Sequence, residues 1–405
     1  MTNSKTASDT QALHSNKLRP AIPRTVWVLG FASLFMDLSS ELVHSLLPVL
    51  LVGTLGASVL TVGVIEGIAE ATALIVKVFS GAISDFVGRR KGLMLLGYGL
   101  AALTKPLFPL ASSVETVFVA RFLDRIGKGI RGAPRDALVA DVAPAAIRGA
   151  CFGLRQSMDT VGAFLGPALA IGLMIAFNGD IHTVLWVAVL PAAVCVALII
   201  LGIREPEHDP AQHRFSAPIH WNVLRHFSSA YWGVVAIGAL FTLARFSEAF
   251  LILRAQQTGF SASWVPMVMV VMALFYMLSA YPVGHWSDRV SRRVLLSAGL
   301  GLLILADLVL ARADSVAMTI VGVALWGLHM GFSQGLLAAM VADTSPSQLK
   351  GSAFGVFNLV SGLSMLVASV LAGWLWQVYG AAMTFYAGAA ISALALLLLL
   401  FRRGG

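Results

Sequence analysis

Long apolar stretches separated by short polar ones set the rhythm of this chain. Runs such as 92–111, 182–203, 229–251, 294–311 and 382–401 match the ~20 residues that an α-helix needs to cross bilayer hydrocarbon. The polar connections alternate in charge. Lys and Arg gather in every second one: Arg19 and Arg24; Arg89, Arg90 and Lys91; Arg148; Arg204, Arg214 and Arg225; Arg289, Arg292 and Arg293; Lys350; Arg402 and Arg403. The connections between hold Arg254 and Arg312, with Lys105 near the outer end of a run. That alternation follows the positive-inside rule and predicts that both termini are cytoplasmic. Counting the runs predicts about twelve spans, near 25–54, 58–83, 92–111, 114–138, 149–177, 182–203, 229–255, 263–285, 293–312, 316–341, 350–378 and 382–402.

The polar segment 204–228 divides these spans six and six. The expected domains are a cytoplasmic N-terminal tail (1–24), an N-terminal six-helix bundle (25–203), a cytoplasmic linker (204–228) and a C-terminal six-helix bundle (229–402). Residues 1–24 are polar and lack the apolar centre of a cleaved leader.

Composition agrees. Of 405 residues, 58% are hydrophobic and 12% charged, where soluble domains run near 45–50% and 25%. The net charge of +8 is spread as a topological signal, so no nucleic-acid partner is expected. Cys151 and Cys195 lie in apolar runs without zinc or disulfide spacing. Met267, Met269, Met272 and Met277 have no close pair of histidines, so neither a metal site nor a cofactor is expected. No nucleophile-and-base constellation or phosphate loop stands out, which argues against an enzyme.

The two halves repeat each other. "GAISDFVGRR" (81–90) returns as "GHWSDRVSRR" (284–293), and "VADVAPAAIRGACFG" (139–153) as "VADTSPSQLKGSAFG" (341–355), at offsets of 203 and 202 residues. More weakly, "LFMDLSSE" (34–41) matches "LFTLARFSE" (240–248). Such a repeat predicts an all-α membrane protein of two pseudo-symmetric six-helix bundles, with a site between them at mid-membrane. The pattern Gly81-x3-Asp85-x2-Gly88-Arg89-Arg90-Lys91 resembles the signature loop of the major facilitator superfamily. Gly284-x3-Asp288-x3-Arg292-Arg293 is its echo, with Ser291 where the glycine belongs. The resemblance covers residues 25–402. It implies a gating latch in which Asp85 caps a helix of the other half and Arg89 bridges to Asp141. Asp288, Arg292 and Asp343 form the matching set.

The sharpest feature is "ARFLDRIGKGIRGAPRDALVAD" (120–141). On a helix, Arg121, Asp124, Arg125, Lys128, Arg131, Arg135 and Asp136 fall within an arc of roughly 140°. Each charge inside a bilayer costs at least ~2.5 kcal/mol, so this stripe must face protein or a water cavity. The counterpart, "GVALWGLHMGFSQGLLAAMVAD" (322–343), lacks it, so folding alone does not demand these charges. Counter-charges stand at helical spacing: Asp37, Glu41 and His44; Glu66, Glu70 and Lys77; Arg155 and Asp159; and, in the second half, Arg245 and Glu248. With Lys105 and Glu115 set aside as near the outer surface, seven acids in the N-terminal spans face seven cations. A balanced buried lattice can take up or release one proton when helices move. Asp37 is the foremost expected proton carrier, with Glu41 beside it. The resemblance implies that Arg121 tunes a nearby carboxylate.

Gly153-x8-Gly162-x3-Gly166-Pro167 resembles the family's antiporter motif. The glycines are expected to let helices approach closely, and the proline to bend the span. Any pocket aromatics would come from Trp264, Trp286, Trp326, Trp374, Phe246 and Phe250, although packing or an interfacial belt is the commoner use of such residues. The resulting expectation is a monomeric, cofactor-free secondary transporter of the cell (inner) membrane. Its partners would be protons, the lipid bilayer and a small organic or amphipathic compound that it exports. The alternative is a carrier of an organic anion, imported or exported, held by the cationic stripe.

Overall fold

The computed structural model describes residues 21–87, 89–203, 221–287, 289–346 and 349–401. The N-terminal half holds α1 (Arg24–Val49), α2 (Val59–Val87), α3 (Arg90–Thr104), α4 (Val114–Val142), α5 (Arg148–Ala176), α6 (Ile181–Val187) and α7 (Val189–Gly202). The C-terminal half holds α8 (Ser229–Ala244), α9 (Ala249–Gln257), α10 (Met267–Trp286), α11 (Arg292–Arg312), α12 (Val316–Gly331), α13 (Gln334–Thr344), α14 (Lys350–Tyr379) and α15 (Ala381–Phe401). No strand occurs among the described residues. Among the described residues, ten segments are long and apolar enough to cross a membrane, where the sequence predicts about twelve. The two short of that standard are α3, which has 15 residues, and α4, which carries the charged stripe. Most of the expected linker, 204–220, and the tail up to residue 20 lie outside the described residues.

Short polar residues start and stop the helices. Ser113 caps α4 by accepting from the Thr116 amide, and Asp180 accepts from the amides of His182 and Thr183. The turn from α5 to α6 reverses through Gly179, at φ +82°, whose amide reaches back to the Met174 carbonyl. Lys91 donates to the carbonyls of Ile200 and Ile203 at the end of α7. Arg254 does the same for α11, through Leu310, Ala311 and Ala313. One span is broken in mid-course: α8 stops at Ala244 and α9 begins at Ala249. Ser247 partly repairs the break, because its amide donates to Ser369 Oγ and its hydroxyl accepts from the Ala249 amide. Irregular backbone at this depth is tolerated where protein or a cavity surrounds it.

The cores explain the shape. One apolar core is shared by both halves and gathers one end of the molecule, from Leu42–Leu51 and Ile65 to Phe246–Leu253, Ala368 and Trp376. At the other end the cores are separate, one around Val26, Met94 and Cys195, another around Tyr231 and Ala353. The halves therefore meet at one end and part at the other. The main crossings that hold the seam are α2 along α14 and α5 against α10, with α1 also packed against α9. Glycine makes the first one close. A Cβ on Gly63 would stand 2.3 Å from the Ser369 carbonyl oxygen, and one on Gly373 would stand 2.9 Å from Leu60 Cα.

Candidate functional site

The charged arc on α4 looks into the seam, and the seam is hollow there. Two contiguous chambers, of about 240 and 460 Å³, share Glu41, Glu70, Lys128, Ala163, Tyr276 and Met330 as lining. The inner chamber adds His44, Arg125, Arg245 and Glu248; the outer adds Asp37, Lys77, Arg131, Arg135 and Asp159. Together they fall in the size range of small-molecule sites. The wall from α1, α2, α4 and α5 is ionic. The facing wall is Met269, Met272, Tyr276, Met330 and Met365, with Arg245 and Glu248 at its edge.

The ionic wall divides into layers. Deepest, Arg121 holds Glu66 through two hydrogen bonds, Nε to Oε1 at 2.9 Å and Nη2 to Oε2 at 2.7 Å. Both side chains are almost wholly buried. Arg125 stands 3.4 Å from Glu70, and Lys105 donates to Asp124 at 2.8 Å. Toward the open end, Arg155 pairs with Asp159 at 2.5 Å and lies 3.7 Å from Asp136, which Arg135 contacts at 3.1 Å. Asp37 lies between these layers. Its one ion-pair partner among the described residues is Arg131, at the loose distance of 3.9 Å. Arg131 also stacks on the Tyr98 ring at 4.8 Å. Lys77 and Lys128 have no carboxylate within 4 Å among the described residues, and both line the cavity.

Several expectations need correction. Lys105 is not at the outer surface. It is 1% exposed, because α3 ends in a tight turn at Lys105–Leu107 that folds the ammonium inward onto Asp124. The seven acids of the N-terminal spans thus face eight cations, and the lattice is not neutral. The cation on Asp141 is Arg90, at 2.6 Å, and not Arg89. Helix α3 begins at Arg90, while Arg89 is extended at φ −112° and exposed. In the second half, Arg292 opens α11 and pairs with Asp343. Gly81 lies in α2, where a Cβ would meet Ala133 at 3.4 Å. The Asp85 side chain, Gly88 and Asp288 lie outside the described residues.

Of the α5 motif, Gly162 and Gly166 press against α1. Added Cβ atoms would come within 2.5 Å of the Leu34 carbonyl oxygen and 2.7 Å of that of Leu38. Gly153 makes no such approach, since a Cβ there would meet nothing within 4 Å; it is exposed. Pro167 is buried within α5. The candidate aromatics do not line the cavity. Trp326, Phe246 and Phe250 are core residues, while Trp264, Trp286 and Trp374 are exposed on the outside. The cavity's aromatic is Tyr276, one turn beyond Met272 and two beyond Met269. That spacing was visible in the run. Sequence reasoning also passed over Asp307 in α11. It is fully buried, with neither carboxyl oxygen hydrogen-bonded among the described residues. Its signal was a lone acid in the middle of 294–311.

The Major Facilitator Superfamily profile matches residues 29–268 and 236–404. An uncharacterized MFS-type transporter of Methanocaldococcus jannaschii is 31% identical over 386 residues, covering 94% of this chain and 95% of that one. Among solved structures, a POT family transporter bound to a thioalcohol-conjugated peptide superposes with a TM-score of 0.79 at 15% identity, over 93% of this chain and 96% of that chain. The human organic anion transporter MFSD10 does so with a TM-score of 0.67 at 20% identity, over 94% and 100%. At these identities the two structures speak for the fold alone.

Proposed function

The chain belongs to the Major Facilitator Superfamily, and from that premise we propose that this multi-pass membrane protein exports a small amphipathic organic compound in exchange for protons. The observation that carries the reading is the position of Asp37. It lines the cavity, and its one Lys or Arg partner among the described residues is Arg131, at the loose distance of 3.9 Å. A carboxylate so loosely held can change protonation at less cost than Glu66, which Arg121 grips in two places. Glu41 is the second acid on the same wall, and Arg121 sets the charge around Glu66 and Glu70. The close approach of Gly162 and Gly166 to α1, with Pro167 following, supports antiport through the motif they resemble.

In this reading α3 and α4 cross the membrane as well, making twelve spans. The charge of α4 is turned to the cavity, and the shortness of α3 is made up by the turn at Lys105. The open end is cytoplasmic, because the basic clusters lie there, and the Arg90–Asp141 and Arg292–Asp343 pairs belong to the latch at that face. The protein acts as a monomer, and the halves rock about the cavity.

The test is purified protein in liposomes under an imposed pH gradient, screened for compounds that move internal pH. Asp37→Asn and Arg121→Ala should abolish substrate-driven proton movement. Normal flux in both variants would overturn the assignment of coupling.

One observation favours a second reading. Lys77 and Lys128 face the cavity without a carboxylate partner among the described residues, which suits a compound carrying an anionic group. In the same liposomes, proton movement with organic anions and none with organic cations would select it.

A further inference from the structure

His44 is a buried titratable side chain that the coupling scheme above does not use. It follows Glu41 by three residues on α1 and is 5% exposed. Its Nδ1 lies 3.5 Å from Glu41 Oε2, and its Nε2 lies 3.6 Å from Glu66 Oε2. The two carboxylates belong to different surroundings. Glu41 lines both chambers, whereas Glu66 is 1% exposed and lies at the closed seam. Glu66 Oε2 also receives Arg121 Nη2 at 2.7 Å and, from the other half, Ser247 Oγ at 3.5 Å. Ser247 sits in the break between α8 and α9, with its amide on Ser369 of α14. A neutral imidazole has one donor and one acceptor nitrogen. With a carboxylate at each, one of the three groups must hold an additional proton for both contacts to be favourable. Glu41 has no Lys or Arg within 4 Å among the described residues, so that proton is its only close neutralising charge.

We propose that His44 relays the transported proton between Glu41 in the cavity and Glu66 at the closed seam, and that the charge on Glu66 decides whether the seam holds. The proposal rests on the reading that transport is proton-coupled. A proton leaves Glu41 Oε2 for Nδ1 as the Nε2 proton passes to Glu66 Oε2. Glu41 ends charged, Glu66 ends neutral, and the imidazole ends neutral in its other tautomer. A neutral Glu66 no longer balances Arg121, whose next carboxylate is Glu70 at 3.5 Å. The guanidinium is drawn toward Glu70, Ser247 loses its charged acceptor, and the halves are released where α2 meets the broken span.

The other charged groups facing this triad are Arg125 and Lys128 from α4, with Arg245 and Glu248 across the cavity. Helix α5 brings Arg155 and Asp159, which sit in the layer toward the open end. Arg254 of α9 is engaged with the end of α11, His182 of α6 with the Pro109 carbonyl, and Cys195 of α7 is buried in the separate N-terminal core.

The probe is the proton itself, so no substrate is needed. The full chain, labelled at Thr54→Cys and Ala262→Cys at the closed end, is reconstituted, and the inter-label distance is followed between about pH 5 and 9. Cys151 and Cys195 are buried. The unsubstituted relay should show a distance change with a single midpoint. His44→Gln should abolish that change or move its midpoint by about one unit or more. Glu41→Gln, which cuts the relay at its cavity end, should do the same. Glu66→Gln should leave the closed end open throughout. A His44→Gln profile matching the parent would overturn the relay while proton coupling stands. A pH-insensitive parent would overturn both. A Glu66→Gln variant that stays sealed would refute the role given to Glu66.

Discussion

Helix α4 and the α12–α13 pair hold matching places in the two halves, 202 residues apart, and are made of opposite materials. Arg121 answers to Val323, Asp124 to Trp326, Arg125 to Gly327, Lys128 to Met330, Arg131 to Ser333 and Arg135 to Leu337. Both versions fold against the neighbours the repeat prescribes. Lys128 and Met330 even line the same two chambers. The scaffold is thus indifferent to charge at these positions, and the cost of burying ions in one half is borne for something other than folding. What an ionic wall offers is re-pairing. Arg121 and Arg125 both stand within 3.5 Å of Glu70, so a small shift trades one partner for another. The methionine wall offers a soft surface that accommodates varied shapes without choosing among charges.

The largest expected effect that tests this contrast is at the matched pair Arg121 and Val323. Removing Arg121 by R121A leaves Glu66 buried without its cation and should cost about 3–5 kcal/mol of stability in thermal or denaturant unfolding. V323A removes only packing and should cost well under that. Equal losses would erase the distinction between the halves. Restoring most of the loss with R121A/E66A would sharpen it, since the uncompensated charge is then gone. Next in size is K128M, which turns the cavity cation into its counterpart's side chain. It should weaken binding of an anionic compound about tenfold, or about 1.4 kcal/mol, by titration of the purified protein. An unchanged affinity would remove Lys128 from the site. The smallest effect is expected at the Ser113 cap of α4, far from the cavity. S113A should cost about 1 kcal/mol of stability and leave transport intact; a transport defect there would mean that the foot of α4 is part of the moving machinery.

Much of this arrangement can be read without coordinates. The repeat places two bundles, and the one-sidedness of residues 120–136 turns α4 toward a cavity. The near-matching offsets pair Arg292 with Asp343. Two of the failures are instructive because they depend on where a helix ends, which periodicity does not locate. Arg89 and Arg90 are adjacent, and the start of α3 selects the second. Lys105 follows an apolar run and looks external until the chain turns back on itself. The aromatics fell to packing or to the outer surface, the commoner use expected of them, but which went where was not legible. A tryptophan's composition cannot tell core from lipid-facing surface when both are apolar, and Trp326 and Trp374 fell on opposite sides of that division. Ser247 gave no signal, since its value comes from a broken helix facing a residue 181 positions away.

If the halves rock as proposed, the apolar core common to both bundles also gives the protein a preferred direction of address. In the proposed cycle, reversing the mouth would mean parting Gly63 from Ser369 and exposing that core, a cost that a bound compound must help to offset. A compound arriving from the sealed compartment finds only the fraction of molecules already turned toward it, and its apparent affinity there is lowered by that fraction. Sidedness is then a property of the hinge, and two membranes' worth of identical binding residues would still not make the two faces equivalent.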